Sequence, residues 1–353
     1  MTSNEASVVP GRLEVASEGT NADPVFSADG LSKAFPVRSN TVLGRRRFVH
    51  AVDSVSLGVA EGQTVGVVGE SGSGKSTLGR LMTKLLAADE GKLTLGGRDV
   101  TRLQRAELRD FRRGVQMIHQ NPYGSLDPTK TAAHAMTEPL LVHRLAGRKA
   151  LPARAEELAE RVALDPRLVH RLPEQMSGGQ RQRVAIARSL SLSPKVLVAD
   201  EPTSALDLST RSEILNLLLQ LQEEQGLALV LISHDFATVR HLSHQIAVMY
   251  LGRIVERGPA ASVAENPKHP YTQALLSAVP VADPIVQRSR QRIVLDGEIP
   301  SPDDVPTGCR FRTRCPVAMP ECARLDPPVV DVGGGHQVAC LLHEPALSTT
   351  ASN

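Results

Sequence analysis

The sequence predicts an α/β protein built around a buried sheet. Three apolar runs end in polar groups: 65–68 leads into a glycine-rich loop, 196–199 into two carboxylates, and 227–232 toward a histidine. Their length and composition are those of buried strands. Because ligands collect at the carboxyl ends of the strands in α/β sheets, these three strand ends are expected to form one site.

The N-terminal part of the chain is expected to be β-rich over about residues 26–95 and to lead into the glycine-rich loop and its helix. Residues 1 to about 24 are rich in Ser, Ala, Glu, Asn and Thr without periodicity, which predicts a disordered tail. The helix after the loop has an apolar stripe that would anchor it to the sheet. This stripe consists of Leu78, Leu81, Met82, Leu85 and Leu86.

The glycine-rich loop at residues 69–77 is a full match to the pattern G-x4-G-K-[ST] of phosphate-binding loops. Its glycines allow successive backbone N–H groups to turn toward a β-phosphate, and the next helix points its positive end there. Lys75 would neutralise β- and γ-phosphate oxygens, and the Ser76 hydroxyl is a candidate Mg2+ ligand. The expected ATP-binding residues of the loop are Gly69, Ser71, Gly72, Ser73, Gly74, Lys75, Ser76 and Thr77.

Two carboxylates and a histidine complete the predicted site. An Asp-Glu pair is ordinarily a solvated turn, but the buried strand leading into Asp200 and Glu201 favours a functional interpretation. Asp200 would hold Mg2+, usually through water, and Glu201 would polarise the attacking water. His234 alone would be an ordinary strand-end histidine. Beside the other groups it is interpreted as a γ-phosphate sensor.

The middle of the chain, about 121–180, is expected to be helical and polar, with interruptions at prolines. A helix should then run from Ser177 to about Leu190. In the following helix Thr210 and Glu213 can form a capping box, Gly226 ends it, and four apolar residues make one face. That face consists of Ile214, Leu217, Leu218 and Leu221.

Beyond Asn266 proline becomes frequent, which predicts a C-terminal extension of short helix and loops over residues 266–345. All cysteines of the chain lie there in the spacing C-x5-C-x6-C-x17-C, and they are Cys309, Cys315, Cys322 and Cys340. Spacing alone leaves iron–sulfur, zinc and plain thiols open. Arginines at 310, 312 and 314 would favour thiolates electrostatically, although such arginines are more often only solvated.

The order of these motifs resembles the nucleotide-binding subunit of an ATP-binding cassette (ABC) transporter, because Ser-Gly-Gly-Gln at 177–180 stands between the phosphate loop and the acidic strand end. Roughly residues 29–265 are covered. The matching motifs are Phe35 as the candidate adenine-stacking aromatic, the Walker A loop at 69–77, the Q-loop Gln120, the signature Ser177, Gly178, Gly179 and Gln180, the Walker B end Asp200 and Glu201, the D-loop ending at Asp207, and the switch His234.

The resemblance implies a RecA-like core with an antiparallel β subdomain and a helical subdomain at about 121–185, within a nucleotide-binding domain at 25–265. Two such domains would face each other head to tail, so that each ATP lies between one Walker A loop and the partner's signature. Glu201, His234 and Gln120 would be catalytic, and Mg2+ would be held through Ser76, Gln120 and Asp200. The segment 121–128 would move with a coupling helix of a membrane subunit.

A closer resemblance rests on 121–128, 269–276 and 297–302, which are similar to the ATPases of dipeptide, oligopeptide and nickel importers. The insertion at 36–50 resembles their F-type subunit, which implies a related or identical second ATPase subunit as partner. The resemblance also implies two transmembrane permeases and an extracytoplasmic solute-binding protein as partners. It places the chain peripherally on the cytoplasmic face of the cell membrane. The tail around 308–316 resembles family members whose four cysteines carry a [4Fe–4S] cluster, with Zn2+ as the alternative.

Composition agrees with this interpretation. The chain has 353 residues, 41% hydrophobic content and a net charge of +2, which indicates a real core and no nucleic-acid partner. An apolar stretch approaching the roughly 20 residues of a membrane span is lacking in the sequence. The alternatives are an importer of nickel or another solute and a soluble iron–sulfur ABC ATPase of ribosome recycling or repair. Soluble relatives carry coiled-coil or zinc insertions, or two cassettes, which this sequence lacks.

Overall fold

The computed structural model describes residues 23–37, 47–280 and 292–344. Nearly all of the expected N-terminal tail, most of the insertion at 36–50 and the tail at 346–353 therefore lie outside the described residues. The strands are β1 (Phe26–Pro36), β2 (Phe48–Val59), β3 (Thr64–Val68), β4 (Glu90–Leu95), β5 (Arg98–Asp99), β6 (Val115–Ile118), β7 (Val196–Asp200), β8 (Ala228–Ser233), β9 (Gln245–Tyr250), β10 (Arg253–Pro259), β11 (Val329–Asp331) and β12 (Gln337–Ala339).

Helices surround these strands. They are α1 (Lys75–Met82), α2 (Arg105–Gly114), α3 (Pro122–Ser125), α4 (Ala132–Val142), α5 (Leu151–Arg161), α6 (Gly178–Leu190), α7 (Leu208–Gln225), α8 (Phe236–Leu242), α9 (Ala260–Glu265) and α10 (Pro270–Ser277). Short 3-10 turns lie at Arg148–Ala150, Pro166–His170, Pro173–Gln175, Pro320–Ala323 and Leu341–His343. In the part of the chain that the structure describes, every helix is too short or too polar to cross a bilayer.

The central sheet has the order β11-β12-β10-β9-β3-β8-β7-β6. Strands β6, β7, β8, β3 and β9 are mutually parallel, and β3, β7 and β8 are buried over their whole length, as strands covered on both faces must be. The register pairs Val68 with Ser233 and Asp200 with Ile232, so the three strands end at the same edge. The predicted α/β fold with polar groups at one sheet edge is confirmed.

Alternate side chains of the central strands enter two different cores. On one face, Val65, Val67 and Val198 pack with the second sheet, which is antiparallel with the order β2-β1-β4-β5, and with α1. On the other face, Val68 and Leu197 pack with the helical region α4 to α7 and with part of the C-terminal extension. Because successive side chains of a strand point to opposite faces, the sheet packs on the β subdomain with one face and on the helical region with the other.

Helix α1 lies close against the sheet. Leu78, Leu81 and Met82 are fully buried, as the apolar stripe predicts, and a Cβ on Gly79 would come within 2.8 Å of Ile232. The helix ends at Met82, however, so the two later leucines of the predicted stripe fall outside it. The first of them, Leu85, is 51% exposed.

Helix α7 begins three residues earlier than predicted. Asp207 is its N-cap and its side chain accepts from the Thr210 backbone N–H, so the predicted capping box of Thr210 with Glu213 is wrong. Glu213 pairs instead with Arg183 on α6, at 2.9 Å. The C-terminus agrees with the prediction, since Gly226 adopts the left-handed conformation with φ 61°.

The C-terminal extension is built into the fold of the cassette. Strand β12 continues the central sheet antiparallel to β10, and β11 pairs antiparallel with β12, so the extension contains strands as well as the predicted helix and loops. Phe311 is buried, and its ring centroid lies 5.3 Å from that of Tyr250 and 5.4 Å from that of Tyr271. The extension therefore shares the core of the cassette, and the domain boundaries given above stay predictions.

Candidate functional site

The glycine-rich loop connects β3 to α1 in a conformation that requires glycine. Gly72 has φ 80° and Gly74 has φ 103°, and a Cβ on Gly74 would come within 2.0 Å of the Ala51 carbonyl oxygen. Lys75 Nζ donates to the backbone carbonyls of Gly69 at 2.7 Å and Glu70 at 2.8 Å. The ammonium group is thus held across the loop, directly before the first turn of α1.

The ammonium group of Lys75 is buried near three carboxylates. Desolvation lowers the pKa of its ammonium group, while the carboxylates of Glu201, Asp200 and Glu70 oppose that shift. A buried ammonium group beside inward-turned N–H groups is a strong attractor for phosphate oxygens.

Ser76 and Asp200 meet although 124 residues separate them in the chain. The Ser76 hydroxyl donates to Asp200 Oδ1 at 2.9 Å, and burial raises the pKa of Asp200. A hydroxyl and a carboxylate are the oxygen ligands that Mg2+ prefers, and a cation there would offset the cost of burying the charge. The donor set at this position fits Mg2+.

Glu201 and His234 form a second polar pair at the adjacent strand ends. The Nδ1 atom of His234 lies 2.7 and 2.8 Å from the two carboxylate oxygens of Glu201. Glu201 is buried, and its backbone has φ 49°, an uncommon conformation for a residue other than glycine. A carboxylate oriented by a histidine is the arrangement expected of a general base.

Lys75, Ser76, Glu201 and His234 open onto one cavity of about 300 Å3, whereas the predicted Gly69, Ser73 and Asp200 do not line it. Its predicted members are Ser71, Gly72, Gly74, Lys75, Ser76, Thr77, Gln120, Glu201 and His234. Sequence reasoning missed its other lining residues, which are Val49, His50, Ala51, Leu251, Gly252 and Pro302. They lie in β2, in the turn after β9 and in the C-terminal extension, and they form no motif. Their proximity to the loop is visible only in the tertiary structure.

The predicted adenine-stacking residue is placed differently. Phe35 lies at the end of β1, is 37% exposed and does not line the cavity, while the Lys33 ammonium is 5.8 Å from its ring centroid. Val49 on the neighbouring strand β2 is paired with Phe35 and does line the cavity. Stacking of Phe35 on adenine stays a prediction.

The signature residues lie apart from this cavity, at the start of α6. The Ser177 hydroxyl accepts from the Gln180 N–H at 3.3 Å, and Gln180 Oε1 accepts from the Ser177 N–H at 3.0 Å. This reciprocal capping box leaves N–H groups of the first turn free to bind an anion. A Cβ on Gly179 would come within 2.4 Å of Thr210 on α7, which accounts for the glycine.

Asp207 of the predicted D-loop is likewise outside the cavity. Its carboxylate accepts hydrogen bonds from the Ser209 hydroxyl at 2.6 Å and from the Thr210 N–H at 3.0 Å, and the bonds from Ser209 and Thr210 lower its pKa. The visible role of this residue in the single chain is to cap α7.

The four cysteines lie in the same region of the C-terminal extension. Burial raises the pKa of Cys309 to about 11 and that of Cys340 to about 12, and the charges of neighbouring cysteines add to both shifts. Among the described residues, His, Cys, Asp and Glu side chains form no group of three or more that could hold a metal ion. The structure therefore gives no support to the predicted iron–sulfur cluster or zinc ion.

The expectation that nearby arginines favour thiolates is wrong. Arg310 donates to Asp53, Arg314 donates to Glu70, and Arg312 donates to the Thr307 carbonyl. Two of the three therefore contact the cassette, and Arg312, which is partly exposed, bonds only within the extension. Sequence spacing could not show this, because turns around 309–314 decide where each side chain points.

Comparison with known proteins establishes the family. Residues 52–204 match the ABC transporter family, and residues 255–322 match the oligopeptide/dipeptide transporter C-terminal region. The oligopeptide transport ATP-binding protein AppF of Bacillus subtilis is 44% identical, over 92% of this chain and 98% of AppF. This chain belongs to the ABC transporter ATP-binding proteins. The predicted resemblance is confirmed, and the chain is an ATP-hydrolysing subunit of that family.

Other relatives of this ABC ATPase agree. The oligopeptide transport ATP-binding protein OppF of Salmonella typhimurium is 47% identical, over 84% of this chain and 88% of OppF. Among solved structures, the dimeric ATP-binding cassette MJ0796 bound to ADP and Pi superposes with a TM-score of 0.59 at 30% identity. That match covers 67% of this chain and 98% of MJ0796, so the cassette is shared and the C-terminal extension is largely additional.

Proposed function

We propose that this chain hydrolyses ATP to energise the uptake of di- or oligopeptides through an ABC importer. The observation that carries the proposal is the joint presence of a cavity lined by Lys75, Ser76, Glu201 and His234 and a C-terminal region of the oligopeptide/dipeptide transporter type at 255–322. AppF and OppF, named for oligopeptide transport, share both parts at 44% and 47% identity. These relatives do not support the nickel importer or the soluble iron–sulfur ATPase.

The chain's own groups would carry the reaction. Lys75 and the loop N–H groups bind the β- and γ-phosphates, while Ser76, Asp200 and Gln120 would hold Mg2+. The ion, when bound, supplies positive charge against the phosphate oxygens. Glu201, held by His234, accepts the proton of the attacking water and polarises it.

A second subunit would complete each site. The first turn of α6 at Ser177 and Gly179 lies away from the chain's own cavity, although its N–H groups suit a phosphate. The simplest account is a head-to-tail dimer, in which this turn meets the γ-phosphate of ATP bound to a paralogous or identical partner. Such a pair would sit peripherally at the cytoplasmic face of the cell membrane, bound to two permeases that receive solute from an extracytoplasmic binding protein.

A groove between the core and the helical region is the proposed permease contact. It has a volume of about 310 Å3 and includes the exposed apolar residues Leu85 and Val142, 51% and 59% exposed. At its side, Arg188 on α6 donates to the Ser125 carbonyl in the segment 121–128. Movement of that segment would thus be passed to the helix that carries the signature.

The proposed function is tested by reconstitution of the full transporter with its permeases and binding protein in liposomes. Uptake of labelled di- and oligopeptides should require ATP and should stop with Glu201→Gln. If the transporter hydrolyses ATP and takes up nickel or another solute but no peptide, the proposed peptide substrate is wrong. Co-purification with ribosomal or repair proteins, and with no permease, would overturn the transport function.

We also propose that the four cysteines bind a metal centre, with [4Fe–4S] favoured over Zn2+. The proposal rests on the all-thiol donor set and on the resemblance of the tail around 308–316 to family members that carry such a cluster. The four side chains would have to turn toward a common point to bind the metal. Anaerobically purified protein should contain iron and sulfide, and Cys315→Ser should remove both. Stoichiometric zinc would replace the cluster, and absence of either metal would leave only thiols.

A further inference from the structure

A salt bridge joins the C-terminal extension to the phosphate-binding loop. Arg314 Nη1 and Nη2 donate to the two carboxylate oxygens of Glu70 at 2.6 and 3.0 Å, a bidentate arrangement. The two residues are 244 positions apart in the chain. Their side chains are only 8% and 25% exposed, so solvent screens this pair less than an ordinary surface ion pair.

The same loop residue is held through its backbone. The Glu70 N–H donates to the Tyr271 hydroxyl at 2.8 Å, and Tyr271 is fully buried against Tyr250 and Phe311. Burial raises the pKa of Tyr271, so the hydroxyl stays protonated. Side chains from residues 266–345 thus bind both the backbone N–H and the carboxylate of Glu70.

The extension also reaches the walls of the ATP cavity. Pro302 lines the cavity together with residues of the phosphate loop and Val49 on β2. Arg310 donates to the Leu251 carbonyl, and Leu251 is itself a lining residue. Four separate positions of the extension therefore contact the phosphate loop or belong to the cavity wall, and they are Tyr271, Pro302, Arg310 and Arg314.

Electrostatics make the charged pair relevant to ATP. Glu70 is the second residue of the phosphate loop, and its carboxylate is close enough to Lys75 to oppose the lowering of the ammonium pKa by burial. An unpaired carboxylate at that place would repel the phosphates of ATP. The Arg314 guanidinium cancels this charge and draws it toward the extension.

We propose that the C-terminal extension sets the ATP affinity of this subunit through Arg314, a positioning residue that neutralises the carboxylate of Glu70 in the phosphate loop. The inference rests on the ATP-hydrolysing function proposed above. The extension is then part of the ATPase mechanism, because a change in its conformation reaches the loop through the Arg314–Glu70 ion pair and the Tyr271 hydroxyl.

The test is the KM for ATP and the kcat of the assembled transporter with four variants. Arg314→Gln should raise KM about tenfold with kcat within about twofold, because a partly buried charge near the phosphates loses its partner. Glu70→Gln should lower KM or leave it unchanged. The double variant should return to within about twofold of the wild type, since neither charge remains. Arg312→Gln is the matched control and should change nothing.

A purely structural staple predicts a different pattern. In that case Arg314→Gln and the double variant would raise KM equally, and the inference would be overturned. An unchanged KM in Arg314→Gln would overturn it as well. High salt should reduce the Arg314→Gln defect, because the repulsion is screened.

If Arg314→Gln does not fold, Glu70→Gln and Arg314→Lys take its place: a raised KM in Glu70→Gln contradicts the inference, and a near-normal KM in Arg314→Lys supports it. A wild-type complex without ATPase activity would refute the proposed function itself. An active wild type with unaltered variants would refute only the role of Arg314.

Discussion

At the scale of single residues, the proposed catalytic base is a carboxylate held in a strained backbone. Glu201 adopts φ 49° directly after β7, and His234 contacts both of its carboxylate oxygens. Such a conformation costs of order 1–3 kcal/mol for a residue other than glycine. It turns the side chain from the strand toward the cavity, next to the Asp200–Ser76 pair.

Replacing Glu201 by Gln should lower kcat at least about a hundredfold, because the amide cannot accept the proton of water. ATP binding should persist, since the phosphates contact Lys75 and the loop. Steady-state ATPase assays and equilibrium nucleotide binding measure the two effects. Hydrolysis near the wild-type rate would move the base to another residue.

Replacing Gly74 by Ala should destabilise the nucleotide-free protein and abolish ATP binding, because the new Cβ would collide with the Ala51 carbonyl. Gly72 is the matched control: it also has positive φ, but nothing lies within 4 Å of the place that a Cβ would take there. Gly72→Ala should cost only the left-handed conformation, about 1–2 kcal/mol. Thermal unfolding compares the two, and equal losses would contradict the steric argument.

At the scale of elements, polar caps decide where helices begin. Asp207 caps α7, Ser177 caps α6, and His269 caps α10 by accepting from the Tyr271 N–H at 3.1 Å. His269 is buried beside Glu256, which accepts from the N–H groups of Lys268 and His269. A neutral imidazole is required in this cap, since its Nδ1 is an acceptor.

The cap of α10 predicts a dependence of stability on pH. Burial lowers the pKa of His269 to about 4, with the charge of Glu256 opposing and that of His343 adding to the shift. Between about pH 6.5 and about pH 4, His269 is therefore protonated in the unfolded state and neutral in the folded state. The free energy of unfolding should fall as pH decreases from 6.5 toward 4, by up to about 3 kcal/mol.

His269→Asn keeps a capping acceptor and removes the titration. This variant should flatten the pH dependence in that window, as measured by denaturant unfolding at several pH values. An unchanged slope would assign the dependence to another group.

At the scale of the whole molecule, the central sheet ties three parts into one body. Its alternate side chains enter the core of the β subdomain and the core of the helical region, and its edge is extended by β12 from the C-terminal extension. Because Phe311 packs on Tyr250 and Tyr271, the extension and the cassette are expected to unfold together.

Phe311→Ala should destabilise the entire chain by about 3–5 kcal/mol, because it leaves a cavity among buried aromatic rings. One cooperative transition should shift to lower temperature in calorimetry. Leu325→Ala is a control in the same extension, since Leu325 is 46% exposed and should cost little. Selective melting of the extension, with the main transition unchanged, would contradict the single body.

Those parts of the site that are local could be predicted from the amino-acid sequence. The phosphate loop, the carboxylates at 200 and 201, His234 and the helix beginning after Ser177 are each defined by neighbouring residues, because strand ends, caps and glycine turns have short-range signatures. The predicted start of α7 was wrong by three residues, because Asp207 and not Thr210 is the N-cap.

The distant segments that complete the site could be identified only from the folded chain. Val49, Leu251 and Pro302 enter the cavity wall, and Arg314 binds Glu70 across 244 residues. The joining of β12 to β10 was equally invisible in the sequence. Contacts of this kind depend on how the chain returns to the sheet, and a single sequence carries no periodic or local pattern for such long-range pairings.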